Sequence, residues 1–211
     1  MSDDFNIDAF PALTRLLHER QNSPEGFSVE AGDYGPSLVL HSDWRAEYAD
    51  YMRAHNIKEL TVNYARGFCG QSLDFFQQVP FLEGLQLLVY HIRDISTVHS
   101  LHELRTFING CRDKMELDFS QFPKLERCGL DWHKKVRSLF ECETLKRLNL
   151  DKYPYKDTVK FANLINLESL EINSSPVENL EGLGSLRGLK MLGLYYLRCL
   201  SSLSGVENLT T

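Results

Sequence analysis

Along most of this chain, apolar residues recur at positions 1, 4 and 6 of a short unit, followed by a looser return of spaced apolar residues before the triplet starts again. The pattern is clearest at Leu167, Leu170 and Ile172, which reappear 22 residues later as Leu189, Leu192 and Leu194, with Val177, Leu180, Leu183 and Leu186 between. Towards the N-terminus the same frame gives Leu145/Leu148/Leu150, Leu125/Cys128/Leu130, Leu104/Phe107/Asn109, Leu82/Leu85/Leu87 and Ile57/Leu60/Val62. Seven complete units result, with starts spaced by 25, 22, 21, 20, 22 and 22 residues. A repeat of this length is one supersecondary unit, a short strand plus a compact return, that buries its apolar side only by stacking on its neighbours. Such short units leave room for 3₁₀ turns in the returns; the longer first unit could hold a true helix near Ser72 to Gln78. Asn109 occupies a leucine position, which predicts either a buried amide satisfying backbone groups or a bulge that shifts Ile108.

Residues 1–56 lie outside the regular frame and are predicted to form an N-terminal cap. Phe10, Leu13, Leu16 and Leu17 recur at helical spacing after Asp8, so residues 9–20 read as an amphipathic helix. Two β-like runs, Phe27 to Ala31 and Ser37 to Leu40, flank the turn formers Gly32 to Pro36, and a second helix carries Trp44, Tyr48, Tyr51, Met52 and His55 on one face. Leu38 and Leu40 lie 22 residues before Leu60 and Val62, as a degenerate zeroth repeat would. Residues 57–211 are the repeats. The next triplet begins at Leu209 and stops at Thr211, a truncated eighth unit. Its apolar last turn is expected to continue in a longer repeat protein or to pack against another chain, including a second copy of this one.

The LxxLxL unit resembles the short-repeat leucine-rich families of the SDS22-like and bacterial internalin-like types. That resemblance implies an α/β fold: a right-handed leucine-rich repeat solenoid with a parallel concave sheet, short 3₁₀ or helical turns on the convex side and an α/β cap. It further implies a non-catalytic module of bacterial origin that binds a partner protein through the concave face and strand-end rim, for example as an immunity protein or regulatory adaptor. At position 9, where these families carry Asn or Cys, this chain has Ala65, Tyr90, Arg112, His133, Tyr153, Ser175 and Leu197, so no asparagine ladder is expected.

Because equivalent positions stack laterally in a parallel solenoid, each column of the repeat alignment becomes a row of neighbours. Position 2 reads Lys58, Glu83, Arg105, Glu126, Lys146, Glu168 and Lys190, alternating in sign throughout, which predicts an ionic ladder. Positions 3, 5 and 7 face out of the concave side. There Arg127 stacks on Arg147 at one end of the strands and Asp131 on Asp151 at the other. Side-by-side like charges oppose folding slightly, so either a complementary partner or neighbouring lysines (Lys134, Lys135, Lys152) must answer them. Aromatics gather at the strand ends: Tyr64, Tyr90, Trp132, Tyr153, Tyr155 and Tyr196. Tyr90 and Tyr153 can pack inward at the position the asparagines vacate, whereas rings left on an exposed rim are those enriched at interface hot spots. The candidate protein-binding set is Arg127, Asp131, Trp132, Arg147, Asn149, Asp151, Tyr153, Glu171 and Tyr195.

Composition narrows the partner. A formal charge of −6 disfavours nucleic acid and anionic membrane, both of which need a dominant basic surface. No run of 18 apolar residues and no basic, apolar leader is present, and the odd, scattered Cys69, Cys111, Cys128, Cys142 and Cys199 suit a cytoplasmic protein with free thiols. Catalytic signals are weak, and neither cofactor nor metal is implied. His99 and His102 lack a third ligand by spacing. The enzymatic alternative needs a small concave pocket that gathers His133 with Asp131 and Asp151.

Overall fold

The computed structural model describes residues 26–111, 114–207 and 209; the helix expected over residues 9–20 lies outside them. Leucines two apart in a five-residue run place both side chains on one face of an extended strand and leave the residues between them on the other. The chain uses this alternation repeatedly, and nine strands form a single sheet in sequence order. They are β1 (Phe27–Ala31), β2 (Pro36–Leu40), β3 (Glu59–Asn63), β4 (Gly84–Leu88), β5 (Thr106–Asn109), β6 (Arg127–Asp131), β7 (Arg147–Asp151), β8 (Ser169–Asn173) and β9 (Met191–Tyr195). Strand β1 pairs antiparallel with β2, and every later pairing is parallel. This is the leucine-rich repeat solenoid that the periodicity predicted.

The register follows the repeat frame residue for residue. Leu38, Leu60, Leu85, Phe107, Cys128, Leu148, Leu170 and Leu192 form one lateral row. From Leu38 to Leu170 its members are at most 2% exposed. Returns are 3₁₀ segments that close each unit on its neighbour, such as Ser96–Ser100, Lys134–Glu141 and Val159–Asn163. The stretch near Ser72 to Gln78 is also 3₁₀ and not a true helix, over Asp74–Gln78, with Phe75 and Phe76 buried. The single α-helix among the described residues, α1 (Ala46–Ala54), buries Tyr48, Ala49 and Met52, and Trp44 just before it stacks on Phe75 with centroids 4.6 Å apart.

Where two returns come closest, a side chain cannot fit. Gly182 and Gly205 have φ of +104° and +110°, and a Cβ on either would lie within 3 Å of backbone in the preceding unit, at Thr158–Val159 and Leu180–Glu181 respectively.

Asn109 takes the first of its two predicted solutions. It is 6% exposed, its Oδ1 accepts the Cys111 backbone N–H at 3.0 Å, and Ile108 keeps its place opposite Gln86 and Gly129. Asn63 does the same for the Ala65 N–H at 2.9 Å, and Ser175 Oγ donates to the Tyr153 carbonyl at 2.6 Å. Loop caps thus come from scattered polar residues in place of an asparagine ladder. At the other end, β9 is less covered: Leu192 and Leu194 are only partly buried, and Met191, Tyr195 and Leu203 are 57%, 50% and 62% exposed.

Candidate functional site

The concave face is built from the residues that alternate with the buried leucines, and its base is the ionic ladder. Lys58 pairs with Glu83 at 2.6 Å, Arg105 with Glu83 at 3.7 Å and Glu126 at 3.1 Å, Lys146 with Glu126 at 2.9 Å and Lys190 with Glu168 at 2.7 Å. The hydrogen bond from Lys146, with those from Arg105, holds the Glu126 carboxyl below its ordinary value. These charges face solvent in part, so each pair stabilises the stack by well under about 1 kcal/mol.

Part of this face is already occupied by the chain itself. The turn joining β1 to β2 folds over the starts of β3 to β6. Glu59, 5% exposed on β3, accepts the backbone N–H groups of Asp33 at 2.9 Å and Tyr34 at 2.5 Å. Held there, the Asp33 carboxylate accepts from Thr106 Oγ1 at 3.0 Å and pairs with Arg127. The Tyr34 ring lies 3.7 Å from the Arg105 guanidinium, and its hydroxyl reaches Glu126 Oε2 at 3.4 Å. Sequence reading missed this clamp. Its local traces are two glycines packed on Glu59: Gly32 in the turn, where a Cβ would collide with Glu59 Oε2, and Gly84 in the lateral row, where one would stand 2.7 Å from Glu59 Cγ.

Beyond the turn, an open groove of about 780 Å³ crosses β5 to β9. Gly129 is its low point, flanked by Ile108 and Asn149. Along one side stand Arg127, engaged by Asp33, and Arg147, which is exposed and makes no ion pair within 4 Å among the described residues. Asp131 and Asp151 line the opposite side, and Lys152 pairs with Asp131. Glu171 accepts from Asn149 Nδ2 at 2.9 Å between the two sides. The stacked arginines and aspartates are real neighbours, and within 4 Å one member of each pair has an ion-pair partner, Asp33 for Arg127 and Lys152 for Asp131.

The other candidates separate by burial. Tyr153 is fully buried between Phe140 and Phe161, with centroids at 6.0 and 4.8 Å, so it is core and presents no contact surface; burial, and then the neighbouring Asp157, holds its phenol above the ordinary value. Trp132 is half-buried against the core, edge-on to Tyr155. Tyr195 is half-exposed and leans over Gly193 towards Glu171. His133 is not among the groove-lining residues, so the face does not gather it with Asp131 and Asp151 as the enzymatic alternative requires. His99 and His102 are engaged with the Asp118 N–H and the Gln121 carbonyl, and no cluster suited to a metal ion occurs among the described residues.

Desolvation, then the adjacent Asp131 carboxylate, raises Asp151 above its ordinary value of 3.8. The folded state therefore holds that proton more tightly than the unfolded chain, and ionisation subtracts stability as pH rises through the window just above 3.8. Asp151→Asn should raise Tm at pH 7 by about 1–2 °C, and the gain should vanish in melts below that window. A lower Tm at pH 7 would mean that Lys152 and Asn173 more than offset the repulsion.

No protein-family model matches the sequence, and no curated protein matches it significantly. Solved structures do. Internalin C2 from Listeria monocytogenes superimposes with a TM-score of 0.58 at 15% identity, over 95% of this chain and 89% of its own. A leucine-rich repeat protein from Leptospira interrogans gives 0.51 at 13% identity, covering 86% of this chain and 57% of that one. The TLR13 chain of a TLR13–ssRNA13 complex gives 0.54 at 22% identity, covering 82% and 27%. At these identities the likeness is one of fold, and the fold is that of leucine-rich repeats.

Proposed function

We propose that the chain is a non-catalytic recognition module that binds a partner protein in the concave groove between the β1–β2 turn and β9. The observation that carries this reading is the groove itself: a cleft of about 780 Å³ with an exposed Arg147 on one side, Asp131 and Asp151 on the other and Gly129 in its floor. Its strands are fixed by stacking and by the ladder, so association freezes few groups and more of the contact energy is retained as affinity. Free cysteines, with Cys128 raised by complete burial, agree with action in the cytoplasm, and among the described residues no helix is long and apolar enough to cross a membrane. A bacterial immunity or adaptor role fits a module of this size. Self-association through the partly covered β9 end is a second contact that this reading allows.

The test is reversal of the acidic side. Asp131→Lys with Asp151→Lys should abolish binding of the partner recovered from the source cell, while the circular-dichroism spectrum is unchanged and Tm moves by no more than about 2 °C. Full binding by a folded double variant would refute the groove as the site.

A further inference from the structure

The β1–β2 turn is itself bound on this face. Its Asp33 carboxylate sits on Arg127, one member of the lateral row Glu59, Gly84, Thr106, Arg127, Arg147. Arg147 is the next member, about 4.8 Å further along; it makes no ion pair within 4 Å among the described residues, and Glu168 acts on it only at longer range. The turn covers Thr106 to 1% exposure and stops at Arg127, so it forms a wall beside the open groove. Four residues along the same strand, Asp151 stands at the far side of the groove with Asp131 beside it. At about 3.3 Å per residue the two ends lie roughly 13 Å apart. Between them, on the neighbouring strand, Gly129 keeps the floor low, with the Ile108 side chain beside it.

We propose that the groove recognises an extended segment of a partner protein that carries an acidic residue for Arg147 and, four positions away on the same face, a basic residue for Asp151 and Asp131. The acidic residue continues the row that Asp33 begins, so the turn is part of the recognition surface and fixes where the segment starts. Residues i and i+4 of an extended segment face the same way and span the same length as Arg147 to Asp151. A nucleic-acid strand fits less well, because its repeating phosphates would face Asp131, Asp151 and Glu171 as well as Arg147. The inference rests on the concave groove being the binding site, and it adds the chemistry of the occupant.

Random linear peptides displayed on phage and selected on the full chain provide the test. Wild-type protein should enrich segments with Asp or Glu four residues from Lys or Arg. The binding of an enriched segment should fall about tenfold or more with Arg147→Glu and disappear with Gly129→Trp, which fills the groove. Arg147→Gln guards against misfolding of the reversed charge and should give an intermediate loss. Segments blocked by Gly129→Trp but indifferent to both Arg147 variants would overturn the charge assignment and leave the groove reading standing. A selection that yields only segments indifferent to Gly129→Trp, or none, would overturn both. Saturable binding of a single-stranded RNA oligonucleotide that depends on Arg147 would also overturn the assignment of a protein segment.

Discussion

Phe161→Ala is expected to be the most damaging single truncation in the C-terminal half of the solenoid. The ring is fully buried and meets Tyr153 at 4.8 Å and Phe140 at 5.4 Å, so it ties the returns of two adjacent units together. Removing a buried aromatic ring costs about 3–5 kcal/mol, as lost burial plus the cavity left behind. For a chain of this size that corresponds to a fall in Tm of about 10 °C or somewhat more. In a solenoid each unit contacts only its neighbours, so the loss should not spread evenly. Amide exchange should accelerate most in β7, β8 and β9, while β2 to β4 keep their protection. A loss below about 1 kcal/mol, or uniform loosening of all strands, would contradict this account of the core.

Gly129→Trp should have the largest effect on binding with the least effect on stability. The residue lies in the middle of β6 without a positive φ, and an added Cβ would meet the tip of Ile108 at 3.0 Å, which must shift by a few tenths of an ångström, and Asn149 Cβ at an ordinary 3.8 Å. Backbone strain is therefore absent, and an aromatic residue suits a strand better than glycine does. The indole would rise into the groove between Arg127, Asn149 and the two aspartates. Any partner seated there is displaced, whatever its charge pattern.

The leucine frame was legible because it is a local, periodic signal, and the ionic ladder because it is the same signal one residue later. Both translate directly into the lateral register, down to Cys128 in a leucine's place and Asn109 as a satisfied amide. The Arg127–Asp33 contact could not be read, since it joins residues 94 apart and nothing in a turn of Gly, Asp, Tyr and Gly announces where it will land. The same gap explains Arg127, whose charge the sequence marks but whose intramolecular partner it hides. Tyr153 illustrates a different limit: a tyrosine at a strand end can pack or be displayed, and the outcome depends on Phe161 later in its own return and Phe140 in the preceding one. The site reading therefore keeps Arg147, Asp131, Asp151, Asn149 and Glu171 as the exposed or partly exposed centre of the groove, with Tyr195 at its edge.

The central claim is that recognition takes place on the concave face between the β1–β2 turn and β9. Calorimetric titration of a captured partner into wild-type protein and into Gly129→Trp, with Tm matched for both, tests it most directly. The account predicts loss of measurable binding by a variant that melts at or above the wild-type temperature. Equal affinity in the folded variant would contradict it and move the binding surface elsewhere on the solenoid.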